Sequence, residues 1–341
     1  MFKLLKEYWG SSEKPWFSWL AASIVGTYLL VTIVLGIYWS TEPDMFPVRA
    51  TAQARAEKAG QTMVTGYVSV STLLTLSETL LNKHGGYLSN DRFPPGLWLD
   101  NMPNWEFGAL VQIRDFARAM RKDFARSQST SAEDPDLSKA EPQFSFDNNS
   151  WILPATEDEY RRGNVYLKKY LTRLVDHSQP EAQFFTRADN LADWLMDVQK
   201  RLGSLSQRLG AAVPQNRINL DTNIDSDPNA VVHLAEEMDV QTAWYQLDDV
   251  FYEARGTTWA LLHLLRAAEI DFADVLKKKN AAVSLRNIIR ELEGSQDPVW
   301  SPVILNGSGF GFMANHSLIM AGYISRANAS LIELSDLLSK G

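Results

Sequence analysis

Between Trp16 and Trp39 the chain reads WFSWLAASIVGTYLLVTIVLGIYW, a run without one charged side chain. At about 1.5 Å of rise per residue such a helix crosses a ~30 Å hydrocarbon layer. Trp16, Trp19, Tyr38 and Trp39 stand at its ends, where amphipathic rings favour the headgroup zone. A cleaved signal peptide has a shorter apolar run and a small-residue cleavage site, and the chain has neither. The pattern predicts an uncleaved transmembrane helix over 16–39.

Beyond Pro43 and Pro47 the pattern becomes amphipathic. Met63, Tyr67, Val70, Leu74 and Leu81 mark one face of a helix over 48–84, which Gly85-Gly86 stops. Phe184, Ala188, Leu191, Leu195, Val198, Leu202, Leu205 and Leu209 follow at spacings of 4 and 3 in turn. That is a heptad seam over 181–209, suited to an intramolecular bundle first and to a partner helix second. Further helices are expected over about 157–175 and 313–338. Ser127–Asp147 and Asn216–Asn229 are polar and Pro-containing and predict exposed, mobile loops. Residues 298–325 carry no charge, which predicts a buried helix, with a membrane-dipping element as the alternative.

One phrase is written twice: LDNMPNWEFG at 99–108 and LDDVFYEARG at 247–256. Laid without gaps, residues 99–126 and 247–274 agree at Leu99, Asp100, Gly108, Arg118, Ala119, Asp123, Phe124 and Ala125. Each copy follows a long helix and precedes a Trp-bearing loop (Trp151, Trp300) and another helix. The reading is therefore an all-α protein with an internal duplication. It has an N-terminal segment 1–15, a transmembrane helix 16–39, and a bundle of two helical repeat units, 48–176 and 181–341.

Charge then fixes location. Lys3, Lys6 and Lys14 precede the span, while Glu42 and Asp44 follow it, so the positive-inside rule puts the N-terminus in the cytoplasm and the main domain in the periplasm. The net charge of -8 and the lack of a basic stripe argue against nucleic acid as a partner. The chain has no cysteine, which removes disulfides, thiolate metal sites and cysteine nucleophiles.

Candidate chemistry centres on the repeated phrase and the helices after it: Asp100, Trp105, Glu106, Arg118, Asp248, Asp249, Glu253 and Arg266. Two of these carboxylates across a groove could cleave a glycan. Helix capping and salt bridging is the favoured reading, because duplicated acids argue for a shared structural role. The histidines (His84, His177, His233, His263, His316) have no ligand spacing, so no metal is expected. NGSGFG at 306–311 lacks a following Walker lysine, no nucleophile motif occurs, and no cofactor is implied.

The stretches GGYLSND (85–91), DNMPNWEFGALVQIRDFARAMR (100–121) and YQLDDVFYEARGTTWALLHLLRA (245–267) resemble a family of proteobacterial single-span membrane proteins catalogued as a domain of unknown function. The resemblance covers nearly the whole chain and implies a Gram-negative inner-membrane protein. It brings no activity and no catalytic residues. The resulting expectation is a non-enzymatic envelope scaffold or accessory protein, held by residues 16–39 and working with an envelope protein or a second copy of itself. A periplasmic lipid or small-ligand binder is the alternative, and a glycan-cleaving enzyme comes third.

Overall fold

The two copies of the phrase lie against each other. In the computed structural model they open α4 (Asn101–Ala119) and α8 (Leu247–Asp271), which cross with backbones nearly touching. A Cβ on Gly108 would overlap the carbonyl oxygen of Glu253 and sit 2.7 Å from the Thr257 nitrogen. A Cβ on Gly256 would overlap the carbonyl oxygen of Trp105. Each glycine thus fits the other helix at the equivalent point. Early residues meet early and late meet late: Asn104 bonds Asp249, and the Phe124 ring packs 5.4 Å from that of Phe272. The helices therefore run in the same direction, with both N-termini at one end of the bundle.

The structure describes residues 16–128, 130–176, 178, 181–218, 237–301, 303–308 and 311–340. The remaining helices are α1 (Trp16–Trp39), α2 (Val48–Ala59), α3 (Tyr67–Asn82), α5 (Leu137–Phe144), α6 (Thr156–Val175), α7 (Ala188–Gly210), α9 (Ala273–Lys278), α10 (Ala282–Gly294) and α11 (His316–Ser339). The all-α expectation holds. A short antiparallel ladder pairs β1 (Gln215–Ile218) with β2 (Glu237–Val240), so the segment expected as loop from Asn216 begins as a strand. Residues 219–236 of that stretch lie outside the described residues.

Contacts repeat between the halves. In the first, α3 packs on α4 and α6, and α5 packs on α4 and α6. In the second, α7 packs on α8 and α11, and α10 packs on α8 and α11. Across the middle α3 meets α8, and α7 meets α4. The seam residues Leu191, Leu195, Val198, Leu202, Leu205 and Leu209 are buried within this chain, where α7 lies along α11.

Three expectations need correction. The helix over 48–84 is two helices. Gly60 takes φ 63° and closes α2 by donating to Ala56 and Glu57, so Met63 falls in an exposed turn. Asp271 makes the new start possible. Its carboxylate accepts the N–H groups of Gly66 (3.0 Å) and Ser69 (2.7 Å) and the Ser69 hydroxyl (2.7 Å), capping α3 from the other half.

The Ser127–Asp147 stretch is not a free loop. Leu137, Ala140 and Phe144 of α5 are buried. Arg114 donates to the carbonyls of Phe144 (2.7 Å) and Phe146 (2.6 Å), and Arg173 ion-pairs with Asp134 and Asp136. Residues 298–325 are not one buried helix either. They form a loop with Trp300 exposed, then the first turns of α11, capped by Asn315 on the Leu318 N–H (2.9 Å).

The crossing generates a prediction. Gly108→Ala and Gly256→Ala should each force α4 and α8 apart and destabilise the full chain by about 1–3 kcal/mol. Thermal unfolding in detergent micelles reads this, with Gly26→Ala, where a Cβ meets nothing within 4 Å, expected to be neutral.

Candidate functional site

The crossing brings both phrase openings to one end. Asp100 accepts the Asn101 N–H (2.9 Å), and Asp248 accepts the Asp249 N–H (3.2 Å). Asn104 reaches across to Asp249 (2.6 Å). Asp100 and Asp248 share a cleft of about 420 Å³ with Trp244, Tyr245, Tyr252 and Val303. Burial, then the charges of Asp248 and Asp100, push the Asp249 carboxyl above its usual range. Two helix N-termini converge here, and their dipoles offset part of the mutual repulsion.

Glu106 sits elsewhere and is fully buried. It accepts the N–H groups of Leu88 and Ser89, each at 2.8 Å, and the Ser89 hydroxyl, and it ion-pairs with Lys83 at 2.7 Å. Lys83 is itself only 2% exposed. Both carboxylate oxygens are committed to holding the 83–89 turn on α4, so neither is open to a substrate. Trp105 is buried with its ring 5.0 Å from Trp259.

Glu253 and Arg118 line a second cleft of about 310 Å³, with Asp115, Arg201 and Arg208. Glu253 ion-pairs with Arg208. Asp115 is held by Arg201 (2.9 Å) and Arg118 (3.3 Å). Arg266 pairs with Glu293 of α10 at 2.6 Å. Of the eight sequence-selected residues, then, Asp100 and Asp248 share one cleft, with Asp249 beside them on Asn104, Glu253 and Arg118 share another, and Trp105, Glu106 and Arg266 stand apart. Among the described residues no three His, Asp or Glu side chains gather as a metal site. His177 and His233 lie outside the described residues.

The residues that sequence reasoning passed over join α1 to the bundle. Arg255 donates through Nε to both oxygens of Glu42 (2.8 and 3.0 Å) and through Nη1 to the carbonyls of Ser295 (3.0 Å) and Asp297 (2.9 Å). Eight residues on, His263 Nδ1 lies 2.7 Å from the Trp259 carbonyl and must donate to it. That leaves Nε2 to accept the Phe46 N–H at 3.1 Å, with the Phe46 ring stacked at 3.8 Å. This contact buries His263 completely. A cationic and a titratable residue on the apolar side of α8 were the available signal.

Residues 12–341 match a family described as an uncharacterized protein conserved in bacteria (DUF2333). The chain belongs to this bacterial family. No curated protein and no solved structure matches it. The family match takes in α1, the 40–47 connector and both halves, so the Glu42–Arg255 and Phe46–His263 contacts fall within the family unit.

Two predictions follow from the buried polar groups of this family member. Glu106→Gln strands the Lys83 ammonium and should cost about 3–5 kcal/mol in thermal or chemical unfolding. The second concerns pH. Burial foremost, with Arg266 adding, lowers the His263 imidazole from 6.5 to about 4. The unfolded chain takes up that proton near pH 6.5 and the folded protein only near 4, so acid favours unfolding across this window. The loss amounts to about 3 kcal/mol by linkage. Unfolding measured from pH 7 to 4 should show this slope in the native protein and a flatter one in His263→Gln.

Proposed function

We propose that the protein is a single-pass membrane protein of the Gram-negative inner membrane, with residues 1–15 cytoplasmic and the bundle in the periplasm. The observation that carries this reading is α1 itself. It is the one helix among the described residues long and apolar enough to span a bilayer, and only 6% of its most apolar stretch is buried by the rest of the chain. Roughly 36 Å of apolar helix in water has no counterpart in a stable soluble fold, whereas lipid covers it at no cost. The charge asymmetry around the span supports the orientation.

Within the envelope, the role we infer is a scaffold or accessory one, working with an envelope protein or a second copy of the chain. Glu106, Asp115, Glu253, Arg255 and Arg266 are committed to ion pairs that hold helices and loops together, which supports a frame over a reaction centre. We also infer that the bundle consists of two copies of one unit, α3–α6 and α7–α11. The repeated phrase and the matching sets of helix contacts support this. A lipid or small-ligand reading retains one supporting observation. A groove of about 360 Å³ between α8, α10 and α11 is lined by Phe251, Val299, Trp300 and Met320, beside Arg255.

The test is topological. With alkaline phosphatase fused after residue 341, the enzyme should be active, and a fused green fluorescent protein exported by the same pathway should stay dark. Carbonate washing should leave the protein in the membrane pellet. The reverse reporter pattern refutes the orientation, and release by carbonate refutes the anchor.

A further inference from the structure

α1 does not end on a loose tether. Gly36, three residues short of its end, faces the side chains of Pro95 and Leu99, which lie 3.7 and 3.8 Å from where a Cβ would be. Tyr38 stacks on His84 at 4.2 Å. Gly85, at φ 82°, lets the Trp39 ring approach where a Cβ would sit 2.7 Å from it. The 93–99 loop therefore lies beside the last turn of α1, about 4.5 Å below Trp39 at helical rise. If Trp39 marks the membrane boundary, that loop is inside an interfacial zone roughly 5–7 Å thick.

The loop reads FPPGLWL, without charge, and Phe93, Leu97 and Trp98 are exposed, Phe93 by 69%. Its neighbour is a second uncharged stretch, WILPA at 151–155, reached through the Phe93–Trp151 ring contact at 6.2 Å. There Leu153 is 90% exposed at φ 54°, a left-handed conformation that a leucine rarely adopts. A third stretch begins just after Asp297, whose carbonyl shares Arg255 with Glu42 of the connector. In it Trp300 is 92% exposed, and Phe312 is fully so.

We propose that this end of the bundle is seated in the same bilayer that α1 crosses. The uncharged loops at 93–99 and 151–155 and around Trp300 and Phe312 insert their apolar side chains at the headgroup–acyl boundary. The proposal rests on the membrane-anchor reading and goes beyond it. The occupant is lipid because the 93–99 loop packs on the last turn of α1, the 151–155 stretch adjoins that loop through Phe93 and Trp151, and Arg255 ties the start of the third stretch to the connector below α1. Three of the projecting side chains are Trp, the residue favoured at that depth. Apolar burial drives the seating. The charges flanking the 93–99 loop in the chain are Asp91, Arg92 and Asp100, of mixed sign with acid in excess, so anionic lipid is not required.

The absence of native cysteine allows a direct test on the full chain. Tyr28→Cys, Leu97→Cys, Ile152→Cys, Trp300→Cys and Val283→Cys each carry a nitroxide in phosphatidylcholine nanodiscs. All five side chains are exposed, and Val283 opens α10 at the end away from α1's exit. Relaxation by oxygen against a water-soluble nickel chelate reads depth. We expect the oxygen-to-nickel ratio at 97, 152 and 300 to exceed that at 283 several-fold, unchanged when anionic lipid is added. If position 28 reads as lipid-buried while 97, 152 and 300 match 283, the seating is wrong and the anchor stands. If position 28 also reads as aqueous, the anchor reading falls and takes the seating with it.

Discussion

The whole arrangement hangs on the distance between two backbones. Where α4 and α8 cross, Gly108 and Gly256 leave out the Cβ atoms that would overlap the facing backbone and hold the helices apart. Close approach multiplies weak van der Waals contacts along both helices and leaves no room for slippage. Every other helix of the two halves packs directly on this pair or on a helix that does. Since α4 and α8 run in the same direction, their partly positive N-termini meet at one end, which is where the acids of the repeated phrase stand. At the opposite end Phe124, Phe184 and Phe272 close the core in mutual aromatic contact, with Phe116 packed on Phe124.

Buried charge gives this frame its register. Isolated charges would be costly inside a helical core, and each one here is surrounded by specific partners. Glu106 fixes the turn after α3, Asp271 fixes its start from the other half, and Arg255 fixes the connector and the loop after α10 to a single guanidinium. Apolar side chains could fill the same volumes without specifying which loop lies where. The hydrogen-bonding geometry of these groups admits one arrangement.

Much of this was legible in the sequence. The uncharged run at 16–39 gave α1 at its observed bounds, and the heptad seam gave α7 from Ala188 onward, because each is a periodic or compositional signal carried by neighbouring residues; the start read at 181 was too early, since Phe184 lies in the non-helical segment before Ala188. The breaks were harder to read. Gly60 ends a helix that the apolar pattern carries past it, and α3 starts where it does because of Asp271, some 200 residues away. Likewise α5 hides in a polar stretch whose order comes from Arg114 and Arg173 on other helices. Of the site, the acids at the helix starts were visible as motifs. Arg255 was not, since a lone arginine inside a motif says nothing about which carboxylate will find it.

The connector at 40–47 has a mechanical meaning. A span joined by a floppy linker can lean without disturbing what it carries. Here Glu42 and Phe46 weld the rod to the body, so any lean of α1 becomes an equal rotation of the bundle. In the bilayer setting proposed for α1, local membrane thickness, which governs how far a single helix leans, would thus be converted into the angle at which the far end of the molecule points away from the lipid.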